Sequence, residues 1–225
     1  MISSRTALAA LVAFVGLGTF AWAQRAPLFD GKTFNGWNGD TEHTWRIDNG
    51  CIVGGSLDNK IARNQFLATD KSYGDFVLHL KFKLLGDSKK TFVNSGVQFR
   101  SQRVPHDTEM IGYQADLGDP SYWGSIYDES RRNKTLASVD MGKVNKVLRR
   151  NDWNDYEIRA EGRRMRTYLN GLLCADYTEK DPKIPQTGHI GLQIHAGGPA
   201  QVWFKDITLQ ELPAGRGTDH RRGGQ

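Results

Sequence analysis

From Phe76 to Leu84 every second residue is large and apolar: Phe76, Leu78, Leu80, Phe82 and Leu84, while His79, Lys81 and Lys83 share the opposite parity. Side chains of a strand alternate between two faces, so this pattern predicts a half-buried β-strand. The same parity predicts strands at residues 95–101, 110–117, 155–161, 163–169, 189–195 and 201–209. Strand-like segments also surround Cys51 and Cys174. Asn170-Gly171 stands between 163–169 and 172–177, and both residue types accept the positive φ of a tight hairpin turn. No segment carries the apolar period of a helix of ordinary length. Many short strands joined by Gly-, Asn- and Asp-rich turns predict an all-β sandwich. No repeat and no internal linker divides it.

Parity also assigns faces. With Val97 and Phe99 inward, Gln98 and Arg100 face out; with Ala115 and Leu117 inward, Gln114 and Asp116 face out. Gln193 and His195 follow by the same rule around Leu192 and Ile194, and Trp203 and Lys205 around Val202 and Phe204. If these strands share a sheet, its outer face gathers Gln98, Arg100, Gln114, Asp116, Gln193 and His195. Such a set mixes donors and acceptors as hydroxyl-rich ligands require. The plainer reading is a solvated antiparallel face; Lys and Glu dominate such faces, as Lys81, Lys83, Glu157 and Arg159 would here. Residues 116–131 add Asp116, Asp119, Asp128, Glu129, Tyr122, Trp123, Tyr127 and Arg131 in one stretch. Aromatic rings offer flat apolar faces to sugar C–H groups, and loops on a rigid scaffold concentrate function. A well-packed surface loop is the alternative.

The termini change the picture of charge and location. Arg5 precedes an apolar run over residues 7–22 that ends in Ala21-Trp22-Ala23. This is the form of a secretory signal peptide, residues 1–23, with a mature chain from about Gln24. A retained membrane anchor is the competing reading, and the run is short for one. No later stretch is apolar enough to span a bilayer. The formal charge is +5, but Arg5 and the tail at 213–225, with Arg216, Arg221 and Arg222, supply most of the excess. The body between them is nearly balanced, so nothing calls for nucleic acid. The Gly- and Arg-rich tail reads as disordered. Cys51 and Cys174 are the two cysteines; they either pair, as an oxidising compartment permits, or pack as buried thiols. Their spacing makes no zinc site. Asn133-Lys134-Thr135 fits a glycosylation acceptor, the Lys143–Arg150 basic run a solvated loop, and Ala196-Gly197-Gly198-Pro199 a turn.

Taken in order, the motifs are recognisable. Leu28-Phe29-Asp30-Gly31-Lys32 with Gly36-Trp37, Trp45-Arg46-Ile47-Asp48-Asn49-Gly50, Tyr73-Gly74-Asp75-Phe76 and Asn94-Ser95-Gly96-Val97-Gln98-Phe99-Arg100 come first. Gly112-Tyr113-Gln114, Trp153-Asn154-Asp155-Tyr156, Asn170-Gly171, the segment from Gly188 to His195, and Phe204-Lys205-Asp206-Ile207 follow. The series resembles the 3-keto-disaccharide hydrolase family across roughly residues 27–212. That resemblance implies a concanavalin A-like jelly roll of two antiparallel sheets over residues 24–212. It implies export to the periplasm or beyond, and action on sugars already oxidised to a ketone at C3. Some members bind a divalent metal, for which Asp116 and His195 are the candidates here. Many relatives carry Glu and Gln in the tyrosine-containing strand where this chain has Gln114 and Asp116, so the acid stands two positions along on the same face.

A C3 ketone acidifies the C2 hydrogen, so the chemistry needs a base, an electrophile on the C3 oxygen and a proton source for the C1 leaving group. The expected catalytic residues are His195 as base, Arg100 (or a metal on Asp116 and His195) at the enolate, and Glu129 or Asp128 as proton donor, beside Asp116. The expected carbohydrate contacts are Gln98, Tyr113, Gln114, Trp123, Tyr127, Arg131, Gln193 and Lys205. A non-catalytic lectin-like module on the same sandwich is the rival reading, since fold alone does not set function. A structural envelope protein is a third.

Overall fold

The computed structural model describes residues 25–213. The expected signal peptide and residues 214–225 of the expected tail lie outside them. Among the described residues, fifteen strands and one short helix follow in chain order. They are β1 (Ala26–Pro27), β2 (Trp37–Asn38), β3 (Trp45–Asp48), β4 (Cys51–Ser56), β5 (Gln65–Thr69), β6 (Phe76–Gly86), β7 (Asn94–Arg103) and β8 (Met110–Gly118). Then come β9 (Ile126–Glu129), β10 (Lys134–Ala137), helix α1 (Met141–Val144), β11 (Asn154–Glu161), β12 (Arg164–Leu169), β13 (Leu172–Thr178), β14 (His189–Ile194) and β15 (Ala200–Glu211). No helix among the described residues is long and apolar enough to cross a membrane.

The strands form two antiparallel sheets, the jelly roll expected from the motifs. One runs β13-β12-β11-β6-β15-β4-β3 with β1 on β15; the other runs β10-β9-β8-β7-β14-β5-β2. The parity read from the sequence explains how they pack. Phe76, Leu78, Leu80, Phe82 and Leu84 of β6 are all buried, and face Val97, Phe99, Ala115, Leu117, Leu192 and Ile194 of the other sheet. Burying a side chain of this kind stabilises by about 1.5–3 kcal/mol, which pins the register, because a one-residue slip would turn the whole apolar set to water. The β12–β13 hairpin turns at Asn170 (φ 48°) and Gly171 (φ 83°), as their residue types predict.

Parity fails at one place that matters. Between β7 and β8 the pairing passes from Phe99↔Tyr113 to Gln102↔Ile111, three residues against two. The pairing of β7 with β14 slips at the same point. The extra residue is a β-bulge at Arg100, whose φ of 50° is left-handed. Ser101 returns to the outer face beside Gln98, while Arg100 turns toward the opposite sheet.

Cys51 lies in β4 and Cys174 in β13, both as free thiols, which decides between the two readings of the pair. Burial pushes both thiols up, Cys174 to about 11.

Candidate active site

Four strands of the second sheet supply the site. Outward positions on β7, β8, β9 and β14 are Gln98, Gln114 and Asp116, Tyr127 and Glu129, and Gln193. Cross-strand pairs Gln98↔Gln114, Gln114↔Tyr127, Gly96↔Asp116 and Gln193↔Gly96 bring them side by side. Glycine at 96 is required by a close approach: a Cβ there would meet Gln114 Cδ at 2.6 Å. The small residue therefore lets the Gln114 side chain lie across its neighbour strand.

The hydrogen bonds fix how that side chain is turned. Ser101 Oγ donates to Gln98 Oε1 (2.6 Å), and Gln98 Nε2 donates to Gln114 Oε1 (3.2 Å). Gln114 Nε2 must then face the acids, donating to Asp116 Oδ1 at 2.7 Å and toward Glu129 Oε2 at 3.4 Å. Gln193 Nε2 donates to the same Glu129 oxygen (3.2 Å), and Ser125 Oγ to Asp116 Oδ2 (3.3 Å). Two carboxylates thus share one amide donor in a buried setting.

Their protonation follows from that setting. Burial, reinforced by the charge of Glu129 against the opposing bond from Gln114, pushes Asp116 up to about 7. Burial, with the charge of Glu109 added, pushes Glu129 up to about 7 as well. Like charges this close titrate as a pair, and near neutral pH the pair holds a proton. Burial and then the charges of Glu129 and Asp116 raise Tyr127, which keeps its hydroxyl protonated. His195 Nδ1 stands 2.6 Å from the Ala196 carbonyl oxygen. A carbonyl only accepts, so in the neutral ring Nδ1 carries the proton and Nε2 the lone pair.

These groups border a cavity of about 160 Å³ lined by Phe92, Asn94, Gln114, Asp116, Tyr122, Tyr127, Glu129 and His195. A larger groove of about 770 Å³ lies on the outer face of the other sheet, around His79, Lys81, Asp155 and Glu157. There every acid is matched to a base: Lys81 to Asp155 and Asp206, His79 and Arg159 to Glu157. It reads as a solvated, charge-balanced sheet face, and the small cavity carries the chemistry.

Of the expected site residues, Asp116, Glu129, His195, Gln114 and Tyr127 come together at the cavity, with Gln98 and Gln193 fully buried behind them as supports. Six others are elsewhere. Arg100 is buried at the end of the sandwich; its guanidinium donates to the carbonyls of Gly74 (2.9 Å) and Gly162 (2.7 Å), to Gln186 (2.8 Å) and to Asp75 (2.7 Å). The bulge sends it there. Tyr113 stands at an inward position, stacked on Phe99 with its hydroxyl donating to Glu179 at 2.7 Å. Trp123 is 4% exposed, packs on Phe82 and donates Nε1 to Asp119, so its ring offers no platform to a sugar. Arg131 pairs with buried Asp128 and lies over the Tyr113 ring. Asp128 itself is inward, bound to Arg131 and Arg132. Lys205 is on the other sheet, 4.1 Å above the Trp153 ring.

Sequence reasoning passed over Asn94, Ser125 and Phe92, and named Tyr122 only within the aromatic stretch at 116–131. Parity carried back from Gln98 through Gly96 would have reached Asn94. Phe92 precedes the strand, and nothing periodic marks it.

The divalent metal that some members of the resembled family bind, with Asp116 and His195 as candidates here, does not fit. Among the described residues no three His, Cys, Asp or Glu side chains converge to hold an ion, and both Asp116 oxygens already accept bonds from Gln114 and Ser125. No step below passes through a metal.

Burial of Asp116 makes stability depend on pH. Below about pH 4 the folded and unfolded chains both hold its proton. As pH rises toward 7 the unfolded carboxyl, near 3.8, ionises while the folded one, near 7, does not. The unfolded state then binds fewer protons, and stability falls. Asp116→Asn is therefore expected to be neutral at pH 4 and stabilising above pH 7, on the order of 1–3 kcal/mol. Urea unfolding at the two pH values measures it, and equal effects at both would contradict a raised Asp116.

The profile of the 3-keto-alpha-glucoside-1,2-lyase-like domain matches residues 24–210. No curated protein matches the chain. Among solved structures, a candidate glycosyl hydrolase of Parabacteroides distasonis ATCC 8503 superposes with a TM-score of 0.62 at 19% identity, covering 84% of this chain and 94% of its own. The carbohydrate-binding module CBM66 of Bacillus subtilis gives a TM-score of 0.58 at 18% identity, covering 78% and 96%. A galectin-like protein of Bacillus subtilis gives 0.58 at 10% identity, covering 84% and 94%. At these identities the likeness is one of fold, and it spans an enzyme candidate and a binding module alike.

Proposed function

We propose that this chain, which belongs to the 3-keto-alpha-glucoside-1,2-lyase-like family, cleaves 3-keto-glycosides by elimination followed by hydration. The observation that carries the reading is the buried pair Asp116 and Glu129, bridged by Gln114 and pushed up to about 7, opening on the cavity beside His195. A binding face gains nothing from carboxyls poised near neutrality. Acid–base catalysis does, because a group works best when its pKa is near the operating pH.

The roles follow. His195 Nε2 takes the proton from C2, and the C–H electron pair forms the enolate, leaving negative charge on the C3 oxygen. The Tyr127 hydroxyl donates to that oxygen, in place of the Arg100 that the bulge removes from the site. As the enolate collapses, a C1=C2 double bond forms and the C1 oxygen departs with its electron pair. The protonated member of the Asp116–Glu129 pair gives that oxygen its proton. Water then adds across the double bond, hydroxyl to C1 and hydrogen to C2, for a net hydrolysis. Gln98 and Gln193 hold the pair in register and touch no substrate.

The decisive assay mixes the protein with a 3-keto-glucoside and follows release of the C1 substituent and of the oxidised sugar. Release that scales with enzyme is the expected result. Failure to turn over any 3-keto-glycoside, together with measurable binding of unmodified glycans, would favour the binding-module reading.

A further inference from the structure

The cavity has two unlike ends. Its floor is the polar set Gln114, Asp116 and Glu129; its mouth carries the rings of Phe92, Tyr122 and Tyr127. Phe92 is 44% exposed, one of only three large hydrophobics so exposed among the described residues. Its ring stands edge-on to His195 at 4.9 Å between centroids and edge-on to Tyr122 at 6.3 Å. An apolar ring left open to water is unfavourable by itself, so something must hold it there.

Two contacts do. The 87–93 turn closes through Lys90 and Thr91 N–H bonds to the Asp87 carbonyl, and Ser88 Oγ donates to Asp119, whose turn carries Tyr122. On the other side Gly197 lies against the turn's backbone and Gly198 against the Thr91 side chain. A Cβ at Gly197 would sit 3.2 Å from the Phe92 carbonyl oxygen, and one at Gly198 would overlap Thr91. The Gly-Gly pair, which the sequence marks only as a turn, is what lets the segment carrying His195 pack beside the Phe92 turn. Phe92 is thus fixed at the rim, directly beside the proposed base.

We propose that Phe92, with Tyr122, forms the subsite for the C1 substituent, and that the substrates are 3-keto-glycosides whose leaving group is an aromatic ring. This rests on the functional reading above. The keto-sugar must reach the acids at the floor and His195, so its C1 substituent extends toward the rim. The Phe92 and Tyr122 rings there offer edges and faces to a flat apolar group, and aromatic pairs in such offset or edge-on arrangements are favourable beyond the area they bury. A substituent without a ring, such as a methyl group, would leave Phe92 exposed.

The test compares phenyl and methyl 3-keto-glucosides of the same anomeric configuration, with wild type, Phe92→Ala and Phe92→Leu. Phenol leaves more readily than methanol whatever the enzyme, so the quantity read is the phenyl-to-methyl ratio of kcat/KM in wild type divided by that in each variant. Division removes the intrinsic difference between leaving groups. A value of about ten for Phe92→Ala is expected, with Phe92→Leu between, since leucine keeps apolar bulk and loses the flat face. Values near one for both overturn the subsite. If wild type turns over neither compound, the functional reading fails first, and direct binding still decides the subsite. Phenyl glucoside should then bind wild type more tightly than methyl glucoside does, by a margin that Phe92→Ala removes; equal affinities refute it.

Discussion

Arg100→Ala is expected to lower the free energy of unfolding by about 3–5 kcal/mol, the usual cost of breaking a buried ion pair by removing one partner. The side chain is wholly buried and its guanidinium bonds at once to the Gly74 and Gly162 carbonyls, Gln186 and Asp75. These acceptors lie before β6, in the β11–β12 turn and before β14, so one residue of the second sheet ties down the end of the first. Arg100→Lys should recover only part of the loss, because a point ammonium cannot reproduce a planar fork reaching four acceptors. Urea unfolding with the midpoint and slope compared to wild type measures both. A variant as stable as wild type but without turnover would mean that Arg100 serves the chemistry after all.

Glu129→Gln is expected to reduce turnover of a 3-keto-glycoside by about 10²–10⁴-fold, the usual range for loss of a general acid or base, without loss of folded protein. His195→Ala should do similar damage. Lys81→Ala, on the charge-balanced face of the other sheet, should do little. The pH profile separates a catalytic role from a structural one. With Asp116 and Glu129 both raised to about 7, kcat/KM in wild type should fall on the alkaline side of neutrality as the pair loses its proton. That alkaline limb reports an apparent value of the coupled pair and not of one residue. Glu129→Gln removes one member of the pair, so the alkaline limb should shift. A variant that loses turnover with its profile unmoved would show that Glu129 merely supports the fold.

The residues that came together and those that scattered did so for a common reason. Gln114, Asp116 and Gln193 were legible because each lies on a strand whose neighbours in sequence are unmistakably core, and pairing then aligns outward positions of adjacent strands; Tyr127 and Glu129 were legible only as members of the 116–131 stretch, and their outward parity follows from the pairing of β9 with β8. His195 follows the last residue of β14 and keeps its parity. Tyr113 obeys parity too, and it points inward; it was mistaken for a sugar contact through its place in a family-like motif. Trp123 and Arg131 sit in turns, where period two says nothing about direction, and the core claimed one while buried Asp128 claimed the other. Lys205 was correctly outward, but of the wrong sheet. Alternation says whether a residue leaves the core and not on which side of the sandwich.

By itself, then, the sequence determined the long alternating strands, their inward faces, the Asn170-Gly171 hairpin and the family, because these depend on local periodicity and on motifs read along the chain; the short strands β2, β5, β9 and β10 carry too little period to be read. Only the tertiary structure decided the rest. The bulge at Arg100 depends on a register between strands that no single strand encodes, and it converted a proposed catalytic cation into an anchor. The raised Asp116 and Glu129 depend on burial by groups distant in sequence, which on Glu129 outweighs the opposing bond that Gln193 gives it from 64 residues away. Phe92 reached the rim of the cavity because two glycines more than a hundred residues later make room for its turn. Each of these is a contact across the sheets or between loops, and the energy that fixes it is absent until the chain has folded.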